Sequence, residues 1–320
     1  MKRYPIISQI GTNEKRKNDF SFFERPKRKE YPMIPKPLTQ DQLENAIASF
    51  TMKRVEVGVT TIGKSILGRP LWCLTLGQGT PRVMYVATHH AMEWICGWCL
   101  LDFARRYLEK SRENKAPLGT FYIIPLLNPD GVELQSGGYD PKGILATRQR
   151  AYNGGSEDFS HWQANGRGVD LNHNYPTGFY AYREIENQLG IQDGAPTRYS
   201  GVAPLSEPET AALVNAIRIL NPEGILTLHT QGRELYTSGV KEGRTARIAT
   251  LLSRRTGYTY TTPVGAAAYG GLTDYMSEVG IPCLTLECGL GQNPLPANCF
   301  STLVEEVFPF LYHFPRLLCL

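Results

Sequence analysis

The chain has 320 residues, 42% hydrophobic and 20% charged, which is enough apolar material for one large core. No run approaches the roughly 18 consecutive apolar residues of a membrane-spanning helix, so no membrane association is expected. The net charge of +4 is concentrated at the start: residues 1–30 carry nine Lys/Arg against four Asp/Glu. The rest is close to neutral, and no nucleic-acid partner is expected.

In chain order, MKRYPIISQIGTNEKRK begins basic but lacks the apolar centre of a secretory signal, which predicts a cytoplasmic protein. Residues 31–38, YPMIPKPL, place three prolines in eight positions and favour extended backbone. The expected division is a basic N-terminal extension, 1–37, and a folded domain, 38–320. TQDQLENAIASF opens with Thr39 as an N-cap and spaces Leu43, Ile47 and Phe50 as a helix does. VEVGVTTIG, PLWCLTLG and PRVMYVATHH read as strands, and EWICGWCLLDFARRYLEK as a helix. TFYIIPLLNP has the continuous apolar character of a strand buried on both faces. About eighty loop-rich residues follow, then a helix in EPETAALVNAIRIL and two more strands, GILTLHT and IPCLTLE. The alternation predicts a single α/β domain, a mixed, mostly parallel sheet flanked by helices on both faces, with ligands at the carboxyl ends of its strands.

The seven cysteines (73, 96, 99, 283, 288, 299 and 319) are odd in number and scattered, as free thiols in a reducing compartment would be. Cys96 and Cys99 form a C-x-x-C with no answering pair, so they read as two small apolar residues on one side of a buried helix.

Three polar residues at strand ends point to chemistry. His90 and Glu93 follow the strand PRVMYVAT three residues apart, so an imidazole and a carboxylate can reach one cation. Zinc accepts both ligand types at about 2.0–2.2 Å, and hydrolytic zinc sites commonly use three protein ligands with a fourth position open. His229, at the end of GILTLHT, offers the third. Glu287 ends the apolar strand IPCLTLE, where an unpaired carboxylate is costly without a task. Beside a water activated by the ion, it could accept a proton and pass it to a leaving amine.

Seven motifs, in order, resemble the zinc carboxypeptidase family over about residues 38–315: GKSILGRPLWCLTLG, HHAMEW, NPDGVE, GRGVDLNHNYP, LSEPET, LTLHTQG, and YGGLTDY with LTLECG. The resemblance implies that fold, one Zn²⁺ held by His90, Glu93 and His229, and Glu287 as the catalytic base and acid. It prefers His90 over its neighbour His89, because the family's ligand precedes its Glu by three, and leaves His89 as a supporting residue. Asn172 matches the asparagine that binds a substrate carboxylate, but His173 stands where digestive members have Arg, and the two are not equivalent forks. The carbonyl-polarising Arg aligns with Gln163, leaving Arg167, Arg148 or Arg150 to replace it. The family's mobile Tyr aligns with Ala266, with Tyr269 as the nearest substitute. WQANGRGVDLNHNYP and AYGGLTDY are similar to the bacterial branch that cleaves the γ-D-glutamyl–diaminopimelate bond. The expected function is therefore promoted-water hydrolysis of that bond in a peptide or muropeptide substrate. The alternatives are a metallocarboxypeptidase on ordinary peptides and, from another class, a wall-peptide binding module without catalysis.

Overall fold

The computed structural model describes residues 35–52, 57–113, 116–239 and 242–320, without the side chains of 51, 52, 266 and 267. The basic extension expected at 1–37 falls almost wholly outside these residues, as do residues 55 and 56 of the first strand reading and the side chain of Ala266.

The described residues form a mixed sheet of eight strands. These are β1 Gly58–Lys64, β2 Pro70–Gln78, β3 Arg82–Ala87, β4 Gly119–Ile124, β5 Gly224–His229, β6 Glu234–Tyr236, β7 Thr259–Thr261 and β8 Cys283–Glu287. Their order is β1-β2-β4-β3-β5-β8-β6-β7. The central strands β4, β3, β5 and β8 run parallel, whereas β1–β2, β2–β4 and β8–β6 pair antiparallel. Among the described residues, nine helices accompany them: α1 Gln40–Met52, α2 Ile95–Arg112, α3 Pro129–Gln135, α4 Ala146–Tyr152, α5 Phe179–Gln188, α6 Pro208–Leu220, α7 Gly243–Thr256, α8 Leu272–Glu278 and α9 Phe300–Leu318.

The apolar runs follow from burial on both faces of the sheet. In β3, Met84 and Val86 join a core with Leu213 and Ile217 of α6 and Leu272 and Met276 of α8. Tyr85 between them faces the other way: its ring meets Phe103 of α2 edge-on at 5.4 Å, and its hydroxyl donates to Leu311 O of α9 at 2.6 Å. Both layers of helices are thus glued by strand residues that alternate in direction, each fully buried side chain contributing about 1.5–3 kcal/mol. The expected α/β fold with helices on both faces is what the described residues form.

Several elements differ from the sequence reading. The loop-rich stretch after β4 contains the short helices α3, α4 and α5, and β6 and β7 are only three residues long, too short to show a period of two. Helix α9 runs through Pro309 and Pro315, residues that ordinarily interrupt a helix.

The sheet also sets where the polar residues lie. Parallel strands β3, β5 and β8 all end on one side, which brings residues 88–90, His229 and Glu287 to one rim. At the end of β3 the chain turns through Thr88, a non-glycine residue in the left-handed region at φ 61°, and its hydroxyl donates to Pro125 O at 3.0 Å.

Candidate metal centre and active site

His90 sits directly after this turn, and Glu93 ends a single 3-10 turn, Ala91–Glu93, that leads into α2. His229 is the last residue of β5 and pairs in register with Glu287, the last residue of β8. His90 Nδ1 lies 3.0 Å from Glu93 Oε1 and 3.2 Å from His229 Nδ1, and His229 Nδ1 lies 3.1 Å from Glu93 Oε2. That last approach is close enough for charge attraction but off-angle for a hydrogen bond, and Glu93 Oε2 is left buried without one.

These residues fit a zinc ion on their own geometry. Ligands about 2.05 Å from a tetrahedral ion stand roughly 3.3 Å from one another, close to the 3.0–3.2 Å between facing atoms of these three side chains. Two imidazole nitrogens and a carboxylate crowded this closely, with an orphaned carboxylate oxygen, lack any arrangement of protons that satisfies them all. A cation at their centre does satisfy them. Among the described residues, this is the one group of His, Cys, Asp and Glu side chains placed to hold a metal ion.

Burial opposes a charged His90, but the Glu93 and Asp170 carboxylates outweigh it and hold the imidazole's proton affinity well above the ordinary range. Burial likewise opposes a charged Glu93, yet His90 and His229 pull it down to about 2.

Asp170, which the sequence reading did not single out, fastens the site. Its Oδ1 is 3.1 Å from His90 Nε2 and accepts from Asn172 N at 3.1 Å. Its Oδ2 accepts from Gln163 Nε2 at 3.0 Å and Arg198 N at 3.2 Å. A carboxylate on the far nitrogen fixes the tautomer and ring direction of a metal-binding histidine. Asn293 does the same for Glu93, donating from Nδ2 to Oε1 at 3.2 Å and to Thr230 O at 2.7 Å. No spacing in the sequence relates residue 293 to residue 93, so only the fold reveals it. Asn128, in the NPDG segment, donates to His89 O at 3.0 Å and Ala164 O at 3.1 Å while its Oδ1 accepts from Gly131 N. Gly131 is needed there, since a Cβ would meet Ala164 O at 2.3 Å.

Burial drives Glu287 up to about 8, and the neighbouring Glu93 adds to the rise. The group thus has the proton affinity of a carboxyl that can both accept and donate near neutral pH.

The remaining expected residues divide. Gln163 lies at the site but commits its amide to Asp170. Asn172 lies on the same turn, and its side chain has no hydrogen-bond partner among the described residues. His173 is turned inward: Nδ1 bonds the Tyr269 carbonyl at 2.9 Å, and the ring stacks on Tyr182 at 3.8 Å. Tyr269 itself is 42% exposed. The Arg167 guanidinium is taken up by Glu207 and the Ser206 carbonyl. Arg150 binds Gly155 O and faces Glu157, and Arg148 lines a shallow cavity of about 370 Å³ with Tyr152, Asp193 and Tyr199.

One cation was missed. Arg198 has its backbone in the left-handed region, φ 69°, with N–H bound to Asp170 and its carbonyl accepting from Tyr182 OH at 3.1 Å. Its side chain is exposed, has no ion-pair partner among the described residues, and its charge acts on His173. The aspartate that holds His90 therefore also anchors a free guanidinium.

The sequence profile of the zinc carboxypeptidase family matches residues 45–309. The chain belongs to that family. It is 33% identical over 261 residues to gamma-D-glutamyl-L-diamino acid endopeptidase 1 of Lysinibacillus sphaericus, an alignment covering 77% of this chain and 64% of that relative. The chain thus spans less than two thirds of that relative's length. Bovine thrombin-activatable fibrinolysis inhibitor, solved with tick carboxypeptidase inhibitor, shares the fold with a TM-score of 0.65 at 20% identity, over 88% of this chain and 97% of that one. Murein-tripeptide amidase MpaA of Escherichia coli O157 superposes with a TM-score of 0.51 at 20% identity, over 80% of this chain and 91% of that one. The zinc carboxypeptidases are metallopeptidases, and the fold expected from the motifs is the one these structures share.

Proposed function

We propose that this metallopeptidase hydrolyses the γ-D-glutamyl–diamino acid bond of peptidoglycan-derived peptides. The convergence of His90 Nδ1, Glu93 and His229 Nδ1 at 3.0–3.2 Å, with Glu287 beside His229, is the observation that carries this reading. These three side chains would hold one Zn²⁺, which lowers the pKa of a water toward ~7 and polarises the scissile carbonyl. Glu287 takes a proton from the attacking water and returns it to the leaving amine. Asn172 and the free Arg198 guanidinium bind a carboxylate of the substrate, in place of the fork that His173 does not supply.

The choice of bond rests on two supports. The Lysinibacillus sphaericus relative bears that specificity in its name. Next to Tyr269 and Gly270, a cavity of about 350 Å³ is lined by Asp274 and Glu278 and, among the described residues, by no Lys or Arg. Asp274 accepts from Gly271 N at 3.2 Å, and burial pushes its carboxyl up to about 6. An acidic pocket on the Asn172 side matches the second ammonium of a diamino acid.

The same reading treats residues 38–320 as the catalytic domain and 1–37 as a basic arm. It places the protein in the cytoplasm, since all seven cysteines are free thiols, five of them buried. No helix among the described residues is long and apolar enough to cross a membrane.

The test is to incubate zinc-loaded protein with L-Ala-γ-D-Glu-diaminopimelate and, separately, with ordinary peptides bearing free or blocked C-termini, and to identify products by mass. Release of diaminopimelate from the first, with ordinary peptides spared, is expected. Trimming of ordinary free C-termini would point instead to a carboxypeptidase, and binding without any product to a non-catalytic module.

A further inference from the structure

The two histidines of the centre are held in different ways. His90 has a carboxylate on its far nitrogen, whereas His229 Nε2 is buried and has no hydrogen-bond partner among the described residues. On the side away from His90 and Glu93, no hydrogen bond therefore fixes the His229 ring. An outer partner on the far nitrogen is the usual restraint on a metal-binding imidazole.

A second ring fills that role by contact. His89, wholly buried, lies stacked on His229 with centroids 5.3 Å apart and planes 26° from parallel. His90 meets the same ring edge-on, with centroids 4.8 Å apart and planes at 66°. His89 is itself tied down: Nε2 bonds Tyr175 OH at 2.9 Å, and its carbonyl accepts from Asn128. Tyr175 is fully buried and packed in the core with Leu272 and Met276, so the anchor is rigid. An imidazole is an expensive choice for such a position. Its Nδ1 is buried without a partner, at a cost of about 1–3 kcal/mol that an apolar residue would avoid.

We propose that His89 is a positioning residue for His229: its ring, anchored by Tyr175 and stacked on the His229 imidazole, sets the direction in which Nδ1 faces the ion. The inference rests on the metal site assigned under Proposed function. His89→Phe and Tyr175→Phe each remove the anchoring hydrogen bond while keeping a flat ring in place, and the double variant completes a cycle.

Three quantities are read on the full chain: the zinc dissociation constant by chelator competition, the visible absorption of the cobalt(II)-loaded protein, and the melting temperature without metal. Each single variant is expected to weaken zinc about tenfold and to change the cobalt spectrum, and the double variant to be no worse than either single. A merely structural role would lower the melting temperature and leave the cobalt spectrum as in wild type. Zinc affinities within twofold of wild type, an unaltered cobalt spectrum, or single losses that add in the double variant each overturn the proposal. If wild type itself binds no zinc, the metal site fails and the inference falls with it. Wild-type binding with indifferent variants defeats the inference alone. Should His89→Phe not fold, Tyr175→Phe carries the same comparison.

Discussion

Replacing Asp170 by Asn tests how far the outer carboxylate holds the metal centre. The carboxylate accepts from Asn172 N and Arg198 N and faces His90 Nε2 and Gln163 Nε2, all within 3.2 Å. An amide of the same shape has one accepting oxygen and one donating NH₂. With oxygen toward His90 and Asn172, the NH₂ meets Gln163, whose amide can flip, and the Arg198 N–H, which cannot. The opposite orientation sets NH₂ against two fixed donors and is worse. In the better orientation His90 exchanges a charged acceptor for a neutral one, a loss of about 1 kcal/mol or more, and Arg198 N–H loses its acceptor at about 1–3 kcal/mol. The first loss falls on zinc binding and predicts roughly a 10–100-fold weaker dissociation constant, in line with other outer partners of metal-binding histidines. The second falls on the fold and predicts a lower melting temperature of the metal-free protein by several degrees. Chelator competition at pH 7 and a thermal melt measure the two separately. A lower melting temperature with zinc affinity within twofold of wild type would refute the argument, because it would show Asp170 supporting the loop and not the ligand.

Three further substitutions probe other parts of the site. Glu287→Gln should abolish hydrolysis while keeping zinc. Burial and the neighbouring Glu93 favour the protonated form of Glu287, so calorimetry in two buffers should show fewer protons released on zinc binding by the variant; equal release would remove Glu287 from the ion's neighbourhood. Arg198→Gln should raise KM several-fold for substrates with a free carboxylate and leave the corresponding amides unaffected; a uniform change would assign Arg198 to the loop alone. Glu209, buried under the site near Asp130 and Glu207, is pushed by burial up to about 7. The unfolded chain gives up that proton near 4.5, so stability should fall as pH rises from about 4.5 through 7, by about 3 kcal/mol at most. Glu209→Gln should flatten that slope in urea unfolding at pH 5 and pH 8; an unchanged slope would show that the carboxyl ionises freely.

The sequence made the fold and the centre of the site legible because both are local. Apolar strands such as PRVMYVAT and TFYIIPLL are buried on both faces, and such strands announce themselves. His90, Glu93, His229 and Glu287 each sit at the carboxyl end of a strand or in the turn after it, where topology alone brings them together. The supporting residues are of another kind. Asn293 reaches Glu93 across 200 positions, Arg198 reaches the site through its backbone N–H, and Tyr175 meets His89 through a core contact. Asn293 and Arg198 lie outside the quoted motifs, and Tyr175, although inside GRGVDLNHNYP, has no spacing that points to His89. The arginines drawn from the loops by composition fared differently: Arg167 and Arg150 are engaged by Glu207 and Glu157, choices set by tertiary neighbours that spacing does not encode.

Asp170 stands where two tasks meet. Through Oδ1 it faces His90 and accepts from the backbone N–H of Asn172, and through Oδ2 it holds the backbone that carries Arg198. The direction of His90 and the placement of the two groups proposed to read a substrate carboxylate therefore depend on one buried side chain. An ion bound to His90 alters the charge facing Oδ1, and the Asn172 N–H is bonded to that same oxygen. Zinc and a carboxylate-bearing substrate should accordingly favour each other's binding, and by linkage the preference must be equal in both directions. A substrate whose carboxylate is blocked loses that coupling along with its contact to Arg198. Under the proposed function, selectivity for peptides bearing a free carboxylate would grow out of the same bonds that build the metal centre.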